Sequence, residues 1–210
     1  MIVSYQSLVD GGHLDVAGVP EPVAVNVIRK AAIEFCDRSR AWVVDHDPID
    51  LVAGEATYQF SPNNGTVVVR VEEAWVNGLD ITATTRLDVQ RHINWTSLTG
   101  TATQYLQENT EEIILFPKPI AALAAGLTMK VSLKPSRKST GLEGWLVEKY
   151  LDDIIHGALW KLFEMPSKPW SDGNSALYHK GAFDAAIISA QLATQKGLGK
   201  AHLRTRPQFF

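Results

Sequence analysis

Residues 157–172 read Gly-Ala-Leu-Trp-Lys-Leu-Phe-Glu-Met-Pro-Ser-Lys-Pro-Trp-Ser-Asp, and this stretch decides how the last third of the chain folds. Its first nine residues contain no proline. Pro166 then ends a helix, because proline lacks an amide hydrogen and clashes with the preceding turn. The remaining residues predict a compact corner. Trp170 in this corner is interpreted as a wedge that locks it or as an anchor for a partner protein, with the wedge preferred.

Apolar residues spaced three or four positions apart flank the corner on both sides. They predict one helix over residues 142–164 and a second over residues 174–196. Asp172 or Asn174 is expected to cap the second helix. The expected buried stripe of that helix is Leu177, Phe183, Ala186, Ile187, Ala190 and Ala193 or Thr194.

A third helix is predicted near the N-terminus. Pro20-Glu21-Pro22 provides a start signal, since proline and an acidic residue both suit the first turn. Apolar residues from Val23 to Cys36 then recur with the period of one buried helical face. We expect this helix to end near Arg40.

The middle of the chain has a β pattern. Asn63-Asn64-Gly65 and Asn77-Gly78 are turn sequences beside apolar or β-branched runs, and residues 127–134 alternate apolar with polar. We therefore predict an α+β fold, an antiparallel helical bundle of one N-terminal and two C-terminal long helices with an inserted antiparallel β region. The predicted parts are a bundle of residues 1–47 and 136–199, a β region of residues 48–135, and an extended basic and aromatic tail of residues 200–210.

The composition excludes several classes of protein. The chain has 210 residues, a net charge of −3 and one cysteine, Cys36, so no disulfide within the chain and no Cys-based zinc site is expected. The first ten residues lack the charge and apolar core of a signal peptide, and no run of 18 apolar residues predicts a membrane span. A reducing compartment is consistent with the low cysteine content.

Motifs of catalysis are not found in the sequence. It contains no phosphate-binding glycine loop, no zinc-protease motif and no nucleophile elbow. Asp45-His46-Asp47 is interpreted as a solvated loop or turn, and His156 with Asp152 as a pair on a helix surface. The six histidines show no metal-ligand spacing. We therefore predict that the chain is not an enzyme and that it has no metal and no cofactor.

The corner also has features of a known family. A helix with a Gly-Ala-Leu core meets a Pro-x-Lys-Pro-Trp sequence, and a second helix with Tyr178 and Phe183 follows. The other matching segments are Ala31–Cys36 with Trp42, Ile49–Tyr58, Val76–Gly78 and Leu115–Pro119. In this order the segments resemble the bacteriophage head-to-tail adaptor, or head-tail connector, family over nearly the whole chain from Val19 to Phe210. Residues 82–103 contain no such segment.

The resemblance implies a structural subunit of a closed homo-oligomeric ring, expected to be a dodecamer, in the neck between head and tail. A ring requires a heterologous interface that closes on itself. The implied partners are the portal protein above, a tail or nozzle protein below, and double-stranded DNA in the channel, with no membrane. The ring would conduct or retain packaged DNA until ejection and provide the platform for tail attachment. It would be a virion component that assembles in the host cytoplasm.

Two groups of residues are candidate sites. The structural signature of the helix corner is Pro166, Lys168, Pro169, Trp170 and Asp172. The residues predicted to dock to the portal or to a neighbouring subunit are Lys200, Arg204, Arg206, Phe209 and Phe210. A short basic and aromatic segment of this kind can order on binding, and simple disorder is the alternative.

A second function remains open from the sequence, that of a DNA-binding packaging accessory factor. Its support is a basic cluster formed by Lys130, Lys134, Arg137 and Lys138. A net negative charge is unusual for a protein that wraps duplex DNA, but it does not prevent DNA from sliding through a channel.

Overall fold

The structure is a computed structural model that describes residues 1–196 and contains two compact units. The helical unit consists of Met1–Trp42 and the chain from Lys134 onward, and the β unit consists of Val43–Leu133. The elements in chain order are β1 (Ile2–Ser4), α1 (Tyr5–Asp10), α2 (Glu21–Ser39), β2 (Val43–Leu51), β3 (Thr57–Gln59), β4 (Thr66–Val76), β5 (Leu79–Ala83), α3 (Arg86–Gln90), β6 (Thr99–Gly100), β7 (Gln104–Leu106), β8 (Glu112–Phe116), β9 (Lys118–Pro119), β10 (Leu123–Pro135), β11 (Gly141–Glu143), α4 (Gly144–Phe163) and α5 (Gly173–Lys196).

The helical unit packs α2, α4 and α5 around an aromatic core. The ring of Phe35 in α2 lies 5.0 Å from Tyr150 in α4 and 6.3 Å from Phe183 in α5, measured between centroids. Phe35 and Phe183 are fully buried. Gly157 in α4 allows the close approach, because a Cβ placed there would lie 2.6 Å from Cε2 of Phe183. The packing of α4 on α5 therefore depends on this glycine.

A short sheet joins the two chain segments that form the helical unit. β1 pairs antiparallel with β11, with Val3 opposite Leu142. A Cβ at Gly141 would lie 2.2 Å from the carbonyl oxygen of Val3, so only glycine fits there. Tyr5 is buried beside this sheet and its hydroxyl bonds to Ser139 Oγ at 3.1 Å, while burial raises the pKa of Tyr5 to about 12. Neither β1 nor α1 is predicted by a pattern in the sequence.

The β unit is dominated by one seven-stranded sheet in the order β2-β10-β4-β5-β7-β8-β3. β4 and β5 form the hairpin that Asn77-Gly78 predicted, with Val76 opposite Leu79. β5 and β7 pair in parallel, and so do β6 and β9 in a separate two-stranded sheet. Buried residues from several strands, among them Val68, Ile113 and Met129, form the core of the unit.

The fold class predicted from the sequence is wrong. Among residues 1–196 only five helices occur, and the β part is dominated by a seven-stranded sheet with a parallel pair, not by an antiparallel insertion in a helical bundle. The helical unit itself also contains the β1–β11 sheet. The structure is therefore mixed α+β.

The physical reason for the error lies in strands that local pattern does not reveal. β10 has thirteen residues, but its first part, around Ala124, Ala125 and Gly126, does not alternate. Its pairing with β2 is irregular there, with register shifts on both sides of Leu127. β2 begins at Val43, inside the region that we assigned to the bundle. Strands of two or three residues, such as β6, are too short to show any period.

Candidate assembly interface

The corner between α4 and α5 is held by its own hydrogen bonds. The amide of Asp172 donates to the carbonyl of Phe163 at 3.1 Å, which joins the end of α4 to the start of α5. The Ser171 hydroxyl donates to the carbonyl of Met165 and accepts from the amide of Lys168 at 3.0 Å. The corner is thus a self-contained turn that fixes how the chain enters α5.

Asp172 is the N-cap of α5, as the sequence suggested. Its Oδ1 accepts from the amide of Asn174 at 3.0 Å and from that of Ser175 at 3.3 Å, and the Ser175 hydroxyl donates to Oδ2 at 2.6 Å. These bonds, the one from the Ser175 hydroxyl above all, lower the pKa of the Asp172 carboxyl. The charged carboxylate therefore satisfies amide groups that the first helical turn leaves free.

The other signature residues have different surroundings. Pro166, Lys168 and Pro169 are exposed. Trp170 is half-buried, and its Nε1 is buried with no acceptor among residues 1–196. The roles assigned to these four residues stay predictions.

Ion pairs connect the three long helices on one side of the helical unit. Glu34 in α2 bonds to Lys161 in α4 at 2.6 Å and to Arg38 one turn later at 3.1 Å. Arg38 also contacts Asp184 in α5 at 2.6 Å. Partly exposed pairs of this kind contribute about 0–1 kcal/mol each, so they add little to the stability of the unit.

Two histidines meet between α4 and α5. The Nδ1 atoms of His156 and His179 lie 2.8 Å apart, so one ring donates and the other accepts. Burial and the neighbouring His156 lower the pKa of His179, and burial raises the pKa of Asp153, one turn before His156. His156 was expected to pair with Asp152 on the helix surface, and that interpretation is wrong because His156 is half-buried and its partner is His179 in α5.

A second histidine prediction is also wrong. His46 does not lie in a solvated turn; it is buried in β2. Its Nε2 accepts from the amide of Ser61 at 3.0 Å, so Nδ1 carries the proton and donates to the Asp47 carbonyl at 2.6 Å. Both ring nitrogens are occupied, which is typical of a structural histidine.

The outer face of α5 is apolar, which the sequence analysis missed. Phe183, Ile187 and Ala190 are buried, but Leu177, which we expected in the same stripe, is 71% exposed. We use the name outer stripe for the exposed apolar positions Leu177, Gly181, Ala185, Ile188 and Leu192. They recur every three or four residues on the side away from the core, so α5 is apolar on two faces. A helical wheel of the α5 sequence would have shown apolar residues on both faces of the helix.

A cleft divides the sheet of the β unit between β4 and β7. β5 lies between them but pairs with β4 only at residues 74–76 and leaves the sheet after Thr84. Beyond that point the side chain of Gln107 bridges the two strands. Its Oε1 accepts from the amide of Val71 at 2.8 Å, and its Nε2 donates to the carbonyl of Val69 at 3.3 Å. The cleft has a volume of about 470 Å³.

The predicted basic cluster is partly neutralised. Lys134 pairs with Asp37 at 2.7 Å, and Lys130 lies 3.5 Å from Glu73. The tail residues Lys200, Arg204, Arg206, Phe209 and Phe210 lie outside the described part of the chain. Within residues 1–196, no cluster of His, Cys, Asp and Glu could hold a metal ion, and no helix is long and apolar enough to cross a membrane.

A comparison with protein families decides the assignment. The model of the SU10 adaptor protein family matches residues 5–206, which is nearly the entire chain. The chain belongs to this family. The resemblance found in the sequence is thus confirmed, and the SU10 adaptor family gives the chain a structural role as a phage adaptor and virion component. None of the curated proteins compared with this adaptor matches it.

Membership in the SU10 adaptor family directs attention to the surfaces of the chain that could contact other proteins. Adaptors of this kind act through other phage head and tail proteins, and the family is generally not enzymatic. The surfaces that matter in such a protein are those left apolar or unpaired in one copy. In this adaptor the outer stripe of α5 is apolar and exposed, and in the cleft between β4 and β7 backbone groups of Val69 and Val71 bond to side chains and not to a neighbouring strand.

Proposed function

We propose that the chain is a subunit of a closed ring in the phage neck and that the outer stripe of α5 is buried against the next subunit. The observation that supports this proposal is the two-faced apolar character of α5. A helix that is apolar on all sides is normally buried, and here one side lies open to solvent in the single chain. Leu177, Ile188 and Leu192 are 71, 57 and 44% exposed.

The size of this surface suits a helix contact between subunits. Leu177 and Leu192 are fifteen residues apart, which corresponds to about 22 Å along the helix. Gly181 and Ala185 between them leave room for a neighbouring helix, and no atom lies within 4 Å of a Cβ built at Gly181. Complete burial of a large apolar side chain contributes about 1.5–3 kcal/mol, so three such residues can drive association. A heterologous contact of α5 with a different face of the next copy would close a ring, expected to be a dodecamer.

The remaining roles in this proposal come from the family. The ring docks under the portal protein, lets double-stranded DNA pass and holds it until ejection, and offers a platform to a tail or nozzle protein. The tail residues named above make the contact with the portal or with a neighbouring subunit, and the helix-corner signature sets the direction in which α5 presents its outer stripe. In this proposal the role is structural and not catalytic.

The alternative function, a DNA-binding packaging accessory factor, has less support. Two of the four lysines and arginines in its basic cluster are paired with carboxylates, which reduces the charge available for phosphates. Retention of DNA by the isolated protein that falls steeply with salt would favour it over the ring.

The test measures the mass of the assembled protein. Purified wild-type chain is compared with Ile188→Asp, which places a charge in the outer stripe, by light scattering after size exclusion. The matched control is Ser189→Asp, which adds the same charge to the next exposed position of α5, beside the stripe. We expect rings for wild type and control and monomers for Ile188→Asp, with unchanged circular dichroism. Rings of wild-type mass from Ile188→Asp would contradict the proposal.

A further inference from the structure

The cleft between β4 and β7 is an unoccupied strand position. β5 runs in parallel with β7 at Ala83, opposite Tyr105, and the amide of Thr84 still donates to the carbonyl of Tyr105 at 2.8 Å. The chain then turns away into α3, whose first residue is Arg86. Val69 to Val71 of β4 and the residues after Tyr105 therefore face each other with no strand between them. The path of β5 continues into this space.

Side chains take the place of the missing strand. The amide and the carbonyl of Val71 and the carbonyl of Val69 all point into the cleft, where they bond to Gln107 and to the hydroxyl of Tyr105. Directly paired strands lie 4.7–4.9 Å apart and bond through their backbones. A glutamine side chain can reach the backbone of the facing strand only if the two strands are farther apart. The backbone groups of β4 are thus presented in the way that an added strand would require.

We propose that a short strand from the C-terminal tail of a neighbouring copy occupies this cleft by strand addition. In that mode, main-chain hydrogen bonds supply affinity and alternate side chains supply specificity. The incoming strand would accept from the amide of Val71 and donate to the carbonyl of Val69 in place of Gln107. The inference rests on the proposed function, since it takes the neighbouring copy from the ring.

The sequence of the tail favours it as the occupant. Residues 200–206 read Lys-Ala-His-Leu-Arg-Thr-Arg, which alternates basic or imidazole side chains with Ala201, Leu203 and Thr205. This is the period-two pattern of a strand with one face buried and one in solvent. Pro207 follows and would end such a strand.

The lining of the cleft matches this pattern. Its lining includes the apolar residues Val69 and Ala83, against which Ala201, Leu203 and Thr205 could pack. Arg70 also lines the cleft, so the basic face of the tail must point to solvent. At least fourteen residues follow Lys196, and an extended chain of that length spans about 46 Å, far enough to leave its own subunit.

Disulfide trapping in the full-length chain tests the proposal. Val69→Cys is combined in turn with Ala201→Cys, Leu203→Cys and Thr205→Cys, because residues opposite each other on paired strands lie within disulfide reach. Cys36 is fully buried and stays in place. The matched control is Asp45→Cys with the same tail cysteines; Asp45 is exposed on β2, and β10 and β4 separate it from the cleft. Masses of the reduced proteins are measured in parallel.

We expect a ladder of covalent multimers on a non-reducing gel for at least one Val69→Cys pair, with loss of the monomer band, and monomers for the Asp45→Cys pairs. Three outcomes would overturn the strand proposal without affecting the ring proposal. They are a disulfide within one chain, an equal ladder in the control, and no disulfide in rings of normal mass. If no ring forms in any variant or in wild type, the proposed function and this inference both fail.

Discussion

The contact of Gly157 with Phe183 gives the sharpest prediction for the helical unit. In Gly157→Ala the new Cβ would lie 2.6–2.9 Å from three ring carbons of Phe183, whereas ordinary contacts lie at 3.4–4 Å. One of the two groups must therefore move by nearly 1 Å. The ring of Phe183 is fully buried and lies near Phe35 and Trp160, so it has little room to move. We expect α4 and α5 to separate locally.

The size of the effect follows from two opposing contributions. Replacing a helix-interior glycine by alanine favours folding by about 1 kcal/mol. Forcing an extra methyl group into a packed core costs about 1–3 kcal/mol. The same change at Gly181, where the surroundings are open, keeps the favourable contribution and lacks the cost. Gly157→Ala should thus be less stable than Gly181→Ala by about 1–3 kcal/mol.

Urea unfolding followed by circular dichroism measures this difference. Both variants are made in the Ile188→Asp background, so that loss or gain of subunit contacts affects them equally. Phe183→Leu, which shortens the opposing side chain, is added to each variant to test the contact itself. If Gly157→Ala is as stable as Gly181→Ala, or if Phe183→Leu does not reduce the difference between them, the reasoning about this contact is wrong.

Three further predictions concern single side chains. In the monomeric Ile188→Asp background, Gln107→Ala leaves the amide of Val71 without its acceptor and should lower the free energy of unfolding by about 1–3 kcal/mol, measured by urea unfolding. An unchanged midpoint would show that the bridge does not stabilise the sheet. Asp172→Ala should lower the melting temperature near pH 7, and Asp172→Asn should lower it less. Because the folded pKa of Asp172 is lowered, the difference in melting temperature between wild type and Asp172→Ala should fade as pH drops below about 4. A difference that does not depend on pH would refute the carboxylate cap. The folded pKa of His179 is also lowered, so its contribution to stability is complete above the unfolded pKa of about 6.5 and is lost as pH falls below that value. In His179→Gln the melting temperature should therefore change less between about pH 6.5 and 5 than in wild type. An unchanged slope of melting temperature against pH would exclude this histidine as the cause.

The helices were largely predictable because their signals are local. Pro20-Glu21-Pro22 and Pro166 mark boundaries that agree with α2 and α4 to within a few residues. Residue type and position reduced the cap of α5 to two candidates, Asp172 and Asn174, of which Asp172 is the cap. The hairpin at Asn77-Gly78 was predictable for the same reason, since the turn chemistry is contained in two residues.

The errors involve features that depend on distant parts of the chain. The parallel pairing of β5 with β7 joins segments separated by a helix and a third strand, and nothing local to either segment specifies this partner. Gln107 looks like any polar loop residue until β4 is placed opposite it. Leu177 was assigned to the buried stripe of α5, but it lies six residues before Phe183 and falls outside that face. Ala176, seven residues and two turns before Phe183, is buried in its place. Sequence patterns show that a helix has an apolar face, but they do not show how many neighbours cover it.

The order of segments along the chain has a consequence for synthesis. The helical unit is built from residues before and after the β unit, and α2 must wait for α4 and α5, which are made more than one hundred residues later. Closing a loop of this length slows folding, because entropy is lost before the contacts form. A nascent chain can fold its β unit first, while the core around Phe35 stays open until α5 has left the ribosome. The helix that bears the outer stripe is made after the whole β unit, so a nascent chain that has folded only its β unit does not yet carry this apolar surface.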